Sequence, residues 1–273
     1  MIPSFLLSLR EGLEAALIIG IVLGALHKMD RRELAPAVWW GTGIAAAASL
    51  VAAAGLFRFG ASLEGRAEMI FEGTTMLLAA AVLTWMIFWM QRQSRSIESE
   101  LEADVRRRAL RVGVMGLFGL AFFAVLREGV ELALFLTATA MATGARANLI
   151  GALLGLAVAA LLGWVLFTST VRLNLRVFFL VTSVLLIIFA GGLAAHAVHE
   201  FNEVGWIPTI VEHVWDTNAI IHEDSMPGMA LKALLGYNGN PSLSEVLAYV
   251  GYFVAILVGL RLSRTVVPSA QEA

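Results

Sequence analysis

The sequence predicts an all-α integral membrane protein, and three observations carry that class. Its 273 residues are 59% hydrophobic and only 15% charged, with a mean hydropathy of +0.81, well outside the range of soluble domains. Several apolar stretches reach the roughly 20 residues that cross a bilayer as a helix. None shows the alternation, over about ten residues, of a membrane barrel strand.

Hydropathy places seven spans at about 4–27, 36–57, 68–91, 112–141, 148–168, 177–200 and 244–263. The first lacks a basic leader and its apolar run is broken by charges, so it reads as a retained helix rather than a cleaved signal. The fourth is longer than one straight crossing needs, which predicts a projecting start or a kink at Gly113, Gly116 and Gly119. Lys and Arg number thirteen in the first, third and fifth connections plus the C-terminal tail, against four in the other connections. Positive residues stay on the cytoplasmic side, so the N-terminus is expected outside and the C-terminus inside. Trp39, Trp40, Trp85 and Trp89 then fall at the inner interface, and Met86 and Met90 beside them read as packing.

A repeat organises the chain. Shifting by 117 aligns Arg10-Glu11-Gly12-x-Glu14 with Arg127-Glu128-Gly129-x-Glu131, together with flanking Phe5 and Phe122, Leu9 and Leu126, and Leu17 and Leu134. The two copies lie in the first and fourth spans, which run in opposite directions. A 3+3 inverted repeat plus one extra helix is therefore expected, a plan typical of secondary transporters with a midplane site. The segments are 1–91, a first three-helix repeat; 92–111, a polar cytoplasmic linker; 112–200, a second repeat; 201–243, an outer loop; and 244–273, the seventh helix and tail. In the linker, Glu102 with Arg106 and Asp104 with Arg108 have the i,i+4 spacing of a solvated helix.

Net charge is −2 and there is no cysteine, which excludes a basic nucleic-acid surface, disulfides, thiolate metal sites and cysteine nucleophiles. The chemistry lies in the doubled motif. On a helix its two glutamates, three apart, sit about 60° from each other and can address one point, with the arginine at i,i+4 from the second. An ionised side chain at the centre of a membrane helix costs about 2.5–3.5 kcal/mol. A pair of Arg–Glu bridges would need one glutamate per arginine, and each copy has two. Arg10 and Arg127 balance part of the charge of Glu11, Glu14, Glu128 and Glu131 and leave an anionic centre. Carboxylate oxygens suit a hard cation, Fe³⁺, Fe²⁺, Mn²⁺ or Mg²⁺, rather than Cu⁺. Crowded carboxylates hold protons until a cation displaces them, which is exchanger chemistry.

Two further sets lie near outer helix ends. Glu68 and Glu72 share a face of the third span. His196, His199 and Glu203 form a stripe on the sixth beside Glu200, and histidine with carboxylate is a transition-metal set. "HEFNE" is not the zinc-protease HExxH, because its last position is Glu203. In the outer loop Glu212, His213, Asp216, His222, Glu223 and Asp224 read either as a solvated loop around a "MPGM" turn or as a capture surface. Gly20 with Gly24, and Gly151 with Gly155, are small-xxx-small pairs for close helix packing.

With two Arg-Glu-Gly-x-Glu motifs in the first and fourth of seven spans, Glu72-Gly73 in the third, and "HAVHEFNEVGWIP" followed by "VEHVWD", the chain resembles the high-affinity iron permeases. These comprise fungal permeases partnered with a multicopper oxidase and the bacterial EfeU-type permeases. The resemblance implies a multi-pass protein of the cytoplasmic (inner) membrane that imports iron, with the motif glutamates as translocation ligands. It also implies iron as substrate rather than as a permanently bound cofactor, and separate periplasmic iron-binding or oxidase proteins as partners. Glu68, Glu72, His196, His199, Glu200 and Glu203 would form the outer approach. A transporter of Mn²⁺ or another divalent ion is the alternative, and a membrane metalloenzyme is disfavoured by the lack of a nucleophile–base pair or a nucleotide motif.

Overall fold

The computed structural model describes residues 1–93, 105, 107, 113–168, 175–223 and 225–265. Among the described residues there are eight α-helices, one 3-10 turn (Arg32–Leu34) and no strand. Helices α1 (Ile2–Lys28), α2 (Ala35–Ala61), α3 (Arg66–Gln93), α4 (Val114–Thr143), α5 (Ala145–Thr168), α6 (Leu175–Val204) and α8 (Leu243–Thr265) match the seven expected stretches to within four residues. The spacing Glu102/Arg106 and Asp104/Arg108 lies outside the described residues.

The fourth stretch is one helix from Val114, with Gly113 preceding it at φ 63°. One expectation changes. The "MPGM" segment is not merely a turn, because it opens a further helix, α7 (Met226–Leu235). Ser225 Oγ accepts from the Gly228 amide at 3.1 Å, Pro227 fits the first turn, and Gly236 closes the helix in the left-handed conformation.

Among the described residues, five helices are long and apolar enough to cross a membrane by length and composition: α2 with its preceding 3-10 turn, α3, α5, α6 and α8. The 27-residue α1 and 30-residue α4 are as long, but their motif charges interrupt the apolar run. Outward side chains are greasy: Trp40 is 69% exposed, Leu50 71%, Val51 73% and Trp164 65%. A water-soluble fold does not leave so much apolar surface open, whereas lipid accepts it.

The chain divides into two compact units. The first, Met1–Glu64 with Met90–Leu185, holds α1, α2, α4, α5 and the start of α6. Here α1 packs on α5, α2 on α4, and α1 on α4. Glycines make these approaches possible. A Cβ on Gly41 of α2 would lie 2.5 Å from the Phe118 carbonyl oxygen and 3.1 Å from the Phe122 amide of α4. A Cβ on Gly151 of α5 would collide with the Met1 carbonyl and Ser4 Oγ, and one on Gly155 with the Phe5 carbonyl of α1. The Gly151/Gly155 pair thus packs as its spacing suggests. Of the other pair, Gly20 receives the Phe167 ring of α5 and Gly24 meets nothing within 4 Å. Val22, Leu26, Val38, Leu117 and Ala121 form a buried core of this unit.

The second unit, Gly65–Trp89 with Leu186–Ala273, holds most of α3, the C-terminal half of α6, α7 and α8. The Glu72-Gly73 turn of α3 packs on α6, where a Cβ on Gly73 would lie 2.9 Å from the Phe201 ring and 3.1 Å from the Glu200 Cβ. The segment 205–243 folds back on itself. The Val214 amide donates to the Pro241 carbonyl, Thr217 to Gly239, and Leu243 to Val211.

Candidate metal centre

The two motifs meet where α1 packs against α4. One carboxylate oxygen from each of Glu11, Glu128 and Glu131 lies within 4.8 Å of the others, the spacing of ligands around one cation. Glu11 and Glu128 are almost wholly buried, at 1% and 4% exposure. Both oxygens of Glu11, and one each of Glu14, Glu128 and Glu131, have no hydrogen-bond donor from the protein among the described residues. Buried carboxylate oxygens without donors are costly unless a proton or a cation satisfies them. The donor set fits a hard divalent or trivalent ion.

Each arginine braces both glutamates of its own copy. Arg10 Nε lies 3.3 Å from Glu14 Oε1 and its Nη1 3.8 Å from Glu11 Oε1. Arg127 Nε donates to Glu131 Oε1 at 2.9 Å and lies 3.8 Å from Glu128 Oε1. The i,i+4 spacing read from the motif is therefore realised twice. The copies differ in exposure: the Arg10 side chain is wholly buried and that of Arg127 is 38% exposed. They differ also in the trio, which takes both glutamates of α4 but only Glu11 of α1.

A cavity of about 280 Å³ opens against Glu11 and Glu128, walled by α1, α2, α4 and α5. Its lining is apolar apart from those carboxylates and Ser49. The motif glycines admit the neighbouring helices. A Cβ on Gly12 would lie 2.7 Å from the Ala159 Cβ, and one on Gly129 would collide with Ser49. Ser49, on α2, escaped the sequence reading; its signal was a lone hydroxyl in an alanine-rich run.

The remaining candidates belong to the second unit. Glu68 and Glu203 are exposed, and Glu72 and Glu200 are half-buried on the packed faces of α3 and α6. His196 Nδ1 donates to the Gly192 carbonyl at 3.0 Å. His199 Nδ1 donates to Glu245 Oε1 at 3.1 Å. Glu245 was also missed, although Ser242-Leu-Ser-Glu245 carries a capping-box pattern. The box is formed: the Ser242 amide donates to Glu245 Oε1 at 3.2 Å, and the Glu245 amide to Ser242 Oγ at 3.3 Å. Glu212, His213, Asp216 and His222 are exposed, and Asp216 accepts from the Asn218 amide at 2.9 Å.

The family described as "Iron permease FTR1 family" matches residues 1–269. The ferrous iron permease EfeU of Shigella sonnei (strain Ss046) is 36% identical over 264 residues, covering 96% of both chains, and that of Escherichia coli O157:H7 matches to the same extent. The ferrous iron permease EfeU of Yersinia pestis is 35% identical over 263 residues, covering 94% of this chain and 92% of the relative. No solved structure matches the chain.

Proposed function

Because the chain belongs to the iron permease FTR1 family, a family of transporters and not of enzymes, we propose that it imports Fe²⁺ through the carboxylate centre built from its two Arg-Glu-Gly-x-Glu motifs. That it is a multi-pass inner-membrane protein carrying iron follows from the family and the apolar helices. The observation that carries the finer reading is the convergence of Glu11, Glu128 and Glu131 from two helices onto one point. A cation there replaces its water with carboxylate oxygens, and protons leave as it binds, so uptake and proton release are coupled. Arg10 and Arg127 hold the carboxylates and keep the site from binding a polyvalent ion too tightly to release it. Ferrous iron is taken as cargo from the relatives' names.

The repeat reading draws support from matched contacts. Gly41 of α2 meets Phe118 and Phe122 of α4, as Gly151 and Gly155 of α5 meet Met1, Ser4 and Phe5 of α1. Phe118 and Phe122 stand 117 residues after Met1 and Phe5, the offset of the motif itself. Seven spans with the N-terminus outside, two inverted halves and one extra helix are the topology we adopt. Glu68, Glu72, His196, His199, Glu200 and Glu203 of the second unit form the outer approach for the ion. A separate periplasmic iron-binding or oxidase protein docks on the segment 205–223, where Trp206, Ile210, Trp215 and Ile220 are exposed.

The test is Fe²⁺ uptake into proteoliposomes under an imposed pH gradient. Glu128→Gln and Glu131→Gln are expected to abolish uptake and the accompanying proton release while the protein still elutes as a folded species. Wild-type rates in both variants would overturn the central site. An all-oxygen trio also accepts Mn²⁺, so competition of labelled iron uptake by Mn²⁺ separates the alternative cargo.

A further inference from the structure

A second cavity, of about 450 Å³, lies within the second unit among the C-terminal half of α6, α7, the start of α8 and the segment 205–243. Its walls include Trp215 and Tyr249, and its polar lining includes His196, Asn238 and Glu245.

His196 is set up as a ligand. Its Nδ1 lies 3.0 Å from the Gly192 carbonyl oxygen. A carbonyl only accepts, so the ring proton sits on Nδ1 and Nε2 carries the lone pair. A backbone carbonyl on the far nitrogen is the usual support of a metal-binding imidazole. Glu245 is set up in the same way. Oε1 is taken by the Ser242 amide, by Ser242 Oγ at 2.9 Å and by His199 Nδ1 at 3.1 Å. Oε2 accepts from Asn238 Nδ2 at 2.7 Å, and one donor leaves it a lone pair for a ligand. Both groups are thus held in place before any ion arrives.

The central trio offers oxygen alone, and oxygen sets suit Mg²⁺ and Mn²⁺ as well as Fe²⁺; imidazole is what favours first-row transition ions over Mg²⁺. We propose that His196 Nε2 and Glu245 Oε2 form a second site, for a divalent first-row transition ion, that selects the cargo against Mg²⁺. This deepens the reading of the chain as an iron permease and rests on it. The cavity leaves room for water to complete the coordination.

The test uses the full-length protein in detergent with Co²⁺ as the probe, because its visible absorption reports nitrogen and oxygen ligation. In E128Q/E131Q, which lacks two central carboxylates, a Co²⁺ site is expected to remain. Adding H196Q or E245Q should weaken it about tenfold or more. The amide oxygen of E245Q still accepts from Ser242, so α8 stays capped and ligation is separated from folding. In proteoliposomes H196Q should take up Fe²⁺ with Mg²⁺ inhibition strengthened about tenfold. No Co²⁺ site in E128Q/E131Q, unchanged affinity on adding both H196Q and E245Q, or unchanged Mg²⁺ inhibition of H196Q overturns the proposal. Wild-type iron uptake by E128Q/E131Q instead overturns the central site.

Discussion

Gly129 of α4 lies directly against Ser49 of α2, so close that a Cβ on the glycine would collide with the serine Oγ and Cβ. Ser49 Oγ is itself held, donating to the Ala45 carbonyl at 2.8 Å. The middle residue of the second motif is therefore the seat of a helix–helix contact, and that contact holds α4 where Glu128 and Glu131 reach Glu11.

Gly129→Ala is expected to destabilise the protein by about 1–3 kcal/mol through overpacking. Gly24→Ala is the control: its methyl would meet nothing within 4 Å, and the change is expected to be neutral or stabilising by up to about 1 kcal/mol. Thermal unfolding in detergent should show the midpoint fall for the first variant and not for the second.

The two arginines should separate in the same way. Arg10 is wholly buried between Glu11 and Glu14, so Arg10→Met strands two buried carboxylates and is expected to cost about 3–5 kcal/mol. Arg127 is 38% exposed, and solvent screens the charges it leaves behind, so Arg127→Met should cost less. The yield of monodisperse protein for the two variants, measured side by side, checks the order.

Glu14 and Glu131 are equivalent in the motif but not in the centre. Glu131 belongs to the trio whose oxygens lie within 4.8 Å of one another and Glu14 does not, so Glu131→Gln is expected to weaken Fe²⁺ binding about tenfold more than Glu14→Gln. Equal affinities by calorimetry would count against the trio as the binding geometry.

Ser242→Ala removes the cap that closes on Glu245 and is expected to cost about 1 kcal/mol. Hydrogen exchange in the first turn of α8 should accelerate, with the first turn of α7, capped by Ser225, unchanged.

Much of the fold was legible from residues alone. Seven helices emerge from apolar runs because lipid leaves the backbone no other way to satisfy its hydrogen bonds. The doubled motif marked the candidate centre because three charges in an apolar helix are too costly to stand without a partner. Glu245 was half legible: its capping box is a local pattern, but His199, which joins it, comes from 46 residues away.

By itself, then, the sequence determined the class, the seven apolar helices, the doubled motif and the residues proposed for the centre, since each is written in local composition or periodicity. Only the tertiary structure decided that oxygens of Glu11, Glu128 and Glu131 come within 4.8 Å of one another, that Ser49 seats on Gly129, and that His196 and Glu245 line one cavity. Those outcomes depend on the rotation and crossing of helices distant in the chain. Close approach at small residues sets both, and no pattern within a single helix records them.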